Sequence, residues 1–150
     1  MALYQTLNEF LIDTNNYAEL SPEMICDNLD IDVCHTDKLP DDYLGLADPI
    51  QRVIFINNKV SKSFSNFIIA HELTHAVLGD VPAAYLKSTY TSYLKVENEA
   101  NHGALTLLIR YYLTTLNIEL EDIDVTRFLE AFKIPESYYF MTEDVLEKMA

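Results

Sequence analysis

The pattern of apolar and polar positions changes its period twice along the chain. Apolar side chains recur at helical spacing over residues 3–19, which predicts an amphipathic helix. A second, shorter helix is predicted directly afterwards, because Ser21 is a typical helix cap and Pro22 a typical first helical residue. We expect this second helix to turn three apolar side chains inward, namely Met24, Ile25 and Leu29.

The period then becomes that of β-strands. Residues 31–36 alternate apolar and polar side chains, and residues 43–47 and 51–56 are two further short apolar stretches. Turn-forming residues separate these stretches at positions 39–42 and 48–49. The sequence therefore predicts three strands in this part of the chain.

Helical spacing returns after Ser61, which can cap a helix that ends at Gly79, a typical C-terminal cap. The next long helix is predicted over residues 96–116. Two shorter amphipathic helices are predicted near residues 124–133 and 142–149.

This order of elements predicts the α+β class, with a small, mostly antiparallel three-stranded sheet packed against helices. The 150 residues are expected to form a single domain. Its core is expected to cover residues 25–115, and its C-terminal helical part residues 120–150.

The charge balance narrows the range of partners. The formal net charge is −14, and no cluster of basic residues stands out, so direct binding to nucleic acid is not expected. No stretch is apolar and long enough to span a membrane, and the N-terminus lacks the basic segment of a signal peptide. With only Cys26 and Cys34 as cysteines, the expected location is a reducing cytoplasm.

Residues 71–75, with the sequence HELTH, carry the strongest chemical pattern. His71 and His75 are four residues apart, so on a helix their imidazoles can reach one point. This is the geometry with which two nitrogen ligands bind zinc. Glu72 is rotated by about 100° from His71, which keeps it outside the ligand set. It would lie beside an open coordination position, where it can act as a general base.

A catalytic zinc site needs a third protein ligand. The metzincin pattern requires a histidine and a glycine where this chain has Val81 and Leu78. His35 and His102 are isolated in the sequence, and isolated histidines are more often ordinary surface or core residues. The remaining source is the acidic segment 96–101, because a glutamate from a following helix can complete a site with two histidines.

Helical positions favour Glu97 over Glu99 as this third ligand. Ala100 and Asn101 share a face with Glu97, so the alanine would permit close packing and the asparagine could accept a hydrogen bond from a ligating histidine. Glu99 points to a different face and remains the alternative. Two solvated charges in the first turn of a helix are the plainest interpretation of the pair.

These residues resemble the ImmA/IrrE-type zinc metallopeptidases. The similarity lies in the strand RVIFIN at residues 52–57, in IAHELTH at residues 69–75 and in ENEAN at residues 97–101. The resemblance implies a thermolysin-like zincin core that binds one zinc ion per chain. It also implies a general base at Glu72 and three metal ligands, which are His71, His75 and Glu97.

The family includes proteins of phages and mobile elements that cleave a partner transcriptional repressor. The resemblance therefore implies a protein substrate, a helix-turn-helix repressor. Thr74 departs from the glycine of many members, and His102 and Gly103 stand where an aromatic residue is common. With no helix-turn-helix domain before the core, the chain is expected to be a stand-alone catalytic core.

The leading hypothesis is a zinc-dependent endopeptidase. Its substrate strand would pair along residues 51–57, and Tyr85, Tyr90 or Tyr93 would donate a hydrogen bond to the oxyanion. The main alternative is a non-catalytic antirepressor that binds a basic repressor through its acidic surface and keeps zinc only for structure. In a third interpretation the two histidines are core residues of a helical regulatory protein.

Overall fold

A computed structural model describes residues 2–80 and 90–150, with the side chains of the second range described from residue 94 onward. The described α-helices are α1 (Leu7–Asp13), α2 (Pro22–Asn28), α3 (Lys62–Leu78), α4 (Tyr90–Leu116), α5 (Val125–Ala131) and α6 (Tyr139–Met149). The strands are β1 (Asp32–Thr36), β2 (Gly45–Asp48) and β3 (Val53–Asn57). Short 3-10 segments lie at Thr14–Tyr17, Leu120–Asp122 and Glu136–Tyr138. This order of elements confirms the α+β class.

The first helix is shorter than the helix predicted over residues 3–19. It is capped by Thr6, whose hydroxyl accepts a hydrogen bond from the backbone N–H of Glu9. After α1 the chain tightens into a 3-10 turn. There the Thr14 hydroxyl donates to the carbonyl of Phe10 at 2.7 Å. Such local side-chain bonds to the backbone compete with regular helical hydrogen bonding.

The second helix begins where the sequence predicts, but the predicted orientation of one of its side chains is wrong. The Ser21 hydroxyl accepts a hydrogen bond from the backbone N–H of Met24, and Pro22 is the first helical residue. Met24 is 45% exposed, so the expectation that it faces inward is wrong. Ile25 is buried as predicted, and Cys26 is buried in place of Met24. A rotation of about 100° per residue turns these two side chains, and not Met24, toward the core.

The sheet is mixed, so the prediction of a mostly antiparallel sheet is wrong. Its strand order is β1-β3-β2, with β2 antiparallel and β1 parallel to β3. The short turn between β2 and β3 produces an antiparallel hairpin. The longer connection after β1 allows that strand to lie on the far side of β3, where it runs in the same direction.

The central strand β3 has neighbours on both sides, so the predicted pairing of a substrate along residues 51–57 is wrong. Within the described ranges, β2 is paired on one side only. The Leu44 carbonyl accepts a hydrogen bond from the backbone N–H of Asn57 at 2.9 Å. Because hydrogen bonding alternates along an antiparallel strand, the backbone groups of Gly45 and Ala47 point away from β3.

The third helix lies at the centre of the fold. Ser61 caps its start and Gly79, with φ 74°, ends it in the left-handed conformation, which confirms both predicted boundaries. α3 packs against α2, α4, β2 and β3. Its buried residues therefore surround most of its circumference: Phe67, Ile68, Ile69, Ala70, Leu73, Thr74, His75, Ala76 and Val77.

The C-terminal helices α5 and α6 lie close to their predicted positions. Asp124 caps α5 by accepting a hydrogen bond from the backbone N–H of Arg127. α6 packs along α4, and Phe128 and Val145 belong to the same buried core as α3. Across residues 2–80 and 90–150, none of the helices has the length and apolar character needed to cross a membrane.

Helices α3 and α4 approach closely at Thr74 and Gly103. A Cβ atom on Gly103 would lie 2.6 Å from Oγ1 and 2.8 Å from Cγ2 of Thr74. The buried Thr74 hydroxyl donates to the carbonyl of Ala70 at 2.9 Å. These two departures from the family pattern are thus complementary, because the missing side chain at position 103 makes room for the larger one at position 74.

Gly103→Ala is expected to lower the free energy of unfolding by about 1–3 kcal/mol, because the added methyl group overpacks this contact. Thr74→Ala removes both clashing atoms, so the double variant should lose less than the sum of the single losses. Urea denaturation of the wild type and the three variants measures this coupling. Additive losses would show that the two residues do not compete for the same space.

Candidate metal centre

Three side chains with metal-binding groups converge between α3 and α4. His71 and His75 project from successive turns of α3, and Glu97 projects from α4. Glu97 Oε2 lies 3.2 Å from His71 Nε2, and Glu97 Oε1 lies 2.9 Å from His75 Nε2. The two Nε2 atoms are 3.2 Å apart, and all the donor atoms lie within 4.8 Å of one another. A single ion could therefore contact all three residues.

Each histidine ring is also held on its Nδ1 side. His71 Nδ1 lies 2.8 Å from Asn101 Oδ1, the contact expected from the helical spacing. His75 Nδ1 lies 3.1 Å from Asp80 Oδ2. In a neutral imidazole, an oxygen acceptor at Nδ1 retains the proton there and leaves the Nε2 lone pair free. Both rings are thus oriented to present Nε2 to the shared point.

Asp80 is a site residue that was not predicted from the sequence. This residue follows Gly79, the left-handed residue that ends α3. Its backbone N–H donates to the carbonyl of His75 at 3.0 Å, so the chain folds back and brings the carboxylate to the ring. An acidic residue directly after a C-cap glycine, five residues beyond a candidate ligand, is the sequence pattern that could have identified it.

Glu72 lies beside the three convergent side chains and is not one of them. Its Oε2 is 4.0 Å from His71 Nε2, and its side chain is only 13% exposed. Gly45 on β2 permits this position, because a Cβ atom there would lie 3.0 Å from Glu72 Cγ. Burial raises the pKa of Glu72, while the charges of His71 and His75 and the backbone N–H of Ala47 oppose that shift.

Attraction between opposite charges shifts the pKa values of His75 and Glu97. Burial alone would lower the pKa of His75, but hydrogen bonds to Asp80 and Glu97 and the negative charges of Glu72 and Glu97 raise it to about 10. For Glu97, burial alone would raise the pKa. Hydrogen bonds and positive charges from both histidines outweigh this effect of burial and hold the pKa of Glu97 well below its usual range. At neutral pH a protonated His75 therefore faces an ionised Glu97.

The other residues considered from the sequence lie apart from this point. Glu99 does not belong to the convergent group. His35 lies 3.1 Å from Glu23 in an exposed contact, and His102 lies near charged residues of α6. The tyrosines predicted as oxyanion donors fall outside the described part of the chain. Tyr85 is not among the described residues, and Tyr90 and Tyr93 precede residue 94, from which side chains are described.

The donor set fits a divalent transition metal. Nitrogen ligands favour such ions over calcium and magnesium, which prefer oxygen ligands throughout. The two imidazoles are oriented by Asn101 and Asp80, as metal-binding histidines usually are. Three protein ligands also leave one coordination position open, which is typical of catalytic sites and not of closed structural ones.

Metal binding at pH 7 is expected to release about one proton, because a protonated His75 must lose its proton to become a ligand. Calorimetric titration of the apoprotein with zinc, in buffers of different ionisation enthalpy, measures this number. Affinity should rise as the pH increases toward the His75 pKa of about 10, since protons compete with the metal below it. A binding enthalpy that is the same in every buffer would contradict this prediction.

Asp80→Ala and Asn101→Ala are each expected to weaken metal affinity by about 10- to 100-fold, because one ligating ring is no longer held. Asp80→Ala should also reduce the number of protons released, since it removes a group that raises the pKa of His75. Asp42→Ala, at an exposed position, is the matched control. Competition with a chromophoric chelator measures each affinity. An Asp80 variant that binds as tightly as the control would exclude the orienting role.

Comparisons with known proteins place this arrangement in a family. Residues 26–138 match the family Peptidase M78, described as the IrrE N-terminal-like domain. None of the curated proteins matches the chain. The structure is similar to that of a Mycobacterium tuberculosis transcriptional regulator, with a TM-score of 0.58 and 16% identity, over 89% of this chain and 44% of that one. The chain thus spans less than half of that protein, and this similarity concerns the fold alone. Because the family match covers most of the chain, the protein belongs to the IrrE N-terminal-like peptidase family.

Proposed function

We propose that the protein is a zinc-dependent endopeptidase. The observation that carries this proposal is the position of Glu72, a buried carboxylate beside the three ligand groups but outside them. A structural metal site has no use for such a group. Hydrolysis, in contrast, needs a base next to an open coordination position. Membership of a peptidase family supports the same activity.

Zinc suits this donor set, in which His71, His75 and Glu97 would hold the ion. Zn²⁺ at this position supplies Lewis acidity, which lowers the pKa of water and polarises a peptide carbonyl. The orienting contacts from Asn101 and Asp80 keep the two imidazoles in place during the reaction.

Glu72 is placed for two successive proton transfers. Its carboxylate first accepts a proton from the attacking water, while the new C–O bond forms and the carbonyl electron pair moves to oxygen. It then passes the proton to the amide nitrogen as the C–N bond breaks, which yields a carboxyl and an amino terminus. The raised pKa that burial gives Glu72 makes it a stronger base than an exposed glutamate.

The free side of β2 offers a position for an extended substrate segment. The backbone groups of Gly45 and Ala47 point away from β3, and no other described strand pairs with them. The Ala47 N–H donates to the Glu72 carboxylate, which leaves both backbone groups of Gly45 and the Ala47 carbonyl for a substrate. Glu72 lies against the same strand. A peptide that adds to β2 by backbone hydrogen bonds would pass beside the base and the metal ligands.

The proposed substrate is a helix-turn-helix repressor of a phage or mobile element, as the family resemblance implies. The net charge of −14 suits the basic surface with which such a repressor binds DNA. The same charge disfavours contact with DNA itself. Any effect on transcription would therefore act through the repressor.

A non-catalytic antirepressor with a structural zinc site is the alternative, and the acidic surface favours it equally. In that case the protein would remove the repressor from DNA by binding alone. The buried base Glu72 would then have no role, which is why cleavage is the preferred proposal.

Glu72→Gln is expected to retain the fold and the zinc but to lose about 10²- to 10⁴-fold in cleavage rate, because an amide cannot accept the proton. Wild-type protein incubated with a helix-turn-helix repressor from the same genome should produce a few discrete fragments, detected by mass spectrometry. A chelator should block their formation. Glu99→Gln is the matched control and should cleave normally. Release of intact repressor from its operator, equal for wild type and Glu72→Gln, would establish the alternative.

The zinc content of the purified wild type and of further variants tests the proposed metal site. The wild type should contain about one zinc per chain by atomic absorption. His71→Ala and Glu97→Ala should lose it, whereas Glu99→Ala should retain it. Full zinc retention by the His71 variant would contradict the proposed site.

A further inference from the structure

Peptide hydrolysis places negative charge on the carbonyl oxygen, and enzymes stabilise that charge with a positioned hydrogen-bond donor. Two described polar side chains contact the ligand rings through their oxygen atoms. Asn101 holds His71, and Asp80 holds His75. These oxygen atoms accept from the rings and cannot donate to an oxyanion, so a hydroxyl near the same helix face is a candidate donor.

Tyr138 lies on the ligand-bearing side of α3. Its ring packs edge-on against Phe67, with centroids 5.3 Å apart and planes at 66°. Phe67 precedes His71 by one helical turn, and these two ring centroids are 6.2 Å apart. Because residues four apart share a helix face, Phe67 and the histidines project on the same side. Tyr138 thus packs against α3 one turn before His71, whereas Asp80 follows the C-terminal end of that helix.

Tyr138 is also electrostatically coupled to the site. Burial, and then the charge of Glu97, raise the pKa of the Tyr138 hydroxyl, which is a proton donor at neutral pH in any case. Its backbone is fixed by the buried Thr142, whose hydroxyl donates to the Tyr138 carbonyl at 2.8 Å. The ring is therefore held by packing on one side and by the start of α6 on the other.

We propose that Tyr138 is a catalytic residue whose hydroxyl donates a hydrogen bond to the oxyanion formed on the scissile carbonyl. Water addition forms the C–O bond and moves the carbonyl electron pair to oxygen, while Glu72 takes the proton of the water. The Tyr138 hydroxyl keeps its own proton throughout and shares it with the oxyanion by hydrogen bonding. This assigns a catalytic role to the chain that follows α5.

Tyr138→Phe removes the hydroxyl and keeps the ring against Phe67. With the repressor as substrate, kcat is expected to fall by about 10²- to 10³-fold, the usual loss for one oxyanion donor, with KM little changed. Zinc content and the melting temperature should equal those of the wild type. Tyr139→Phe, at the adjacent half-buried tyrosine, is the matched control and should retain full activity.

A binding measurement tests the same contact without turnover. A phosphinic peptide carries a tetrahedral anion like the oxyanion, whereas acetohydroxamate binds metals as a planar chelator. By calorimetry on zinc-loaded protein, Tyr138→Phe should bind the phosphinic peptide about 10²-fold more weakly and acetohydroxamate equally well. Equal losses for both probes would indicate a purely structural role and overturn the proposal.

The inference rests on the proposed endopeptidase function, and the outcomes separate the two. Zinc-loaded wild type that neither cleaves the repressor nor binds the phosphinic peptide would contradict the endopeptidase proposal and the inference with it. Wild type that cleaves, together with a Tyr138→Phe variant of equal kcat and equal phosphinic affinity, would overturn the role of Tyr138 alone. Phenylalanine variants of Tyr85, Tyr90 and Tyr93 would then identify the donor.

Discussion

The contact between α3 and α4 is the constraint on which the rest of the structure depends. Two largely buried imidazoles and a carboxylate that is 32% exposed meet there at distances of 2.9 and 3.2 Å. Such distances require the two helices to approach closely, and small residues on α4 allow it. Gly103 receives the Thr74 side chain, and Ala100 is 1% exposed. His71, His75 and Glu97 then find partners in one another, which offsets the cost of removing them from water.

The same contact determines the electrostatics of the site. Glu72 and Glu97 are like charges close to one another, and the charge of Glu97 contributes to the raised pKa of Glu72. A protonated His75 compensates part of this repulsion, and its hydrogen bonds to Asp80 and Glu97, together with the charges of both glutamates, raise its pKa to about 10 despite its burial. A divalent cation can take over this compensation while His75 becomes a neutral ligand. Glu72, which is outside the ligand set, would then remain the carboxylate that can accept a proton.

Features that depend on neighbouring residues were predictable from the sequence, and features that depend on tertiary contacts were not. The caps at Ser61 and Gly79 and the histidine spacing are local, and the structure has the helix boundaries where they were predicted. The parallel pairing of β1 with β3 depends on which side of the hairpin a distant strand occupies. The outward orientation of Met24 depends on where the rest of the core lies. Asp80 was missed because its position follows from how the chain leaves α3.

The mixed sheet and the C-terminal segment enclose the site from different directions. β2 is at the edge of the sheet, and the absence of a side chain at Gly45 lets Glu72 lie against that strand. Tyr138 approaches along Phe67 from the other end of the ligand-bearing face. A substrate that adds to β2 must be an extended segment, because a folded helix has no free backbone groups for strand pairing. Under the proposed function, cleavage would therefore occur in a linker or an unfolded segment of the repressor, and not within its DNA-binding helices.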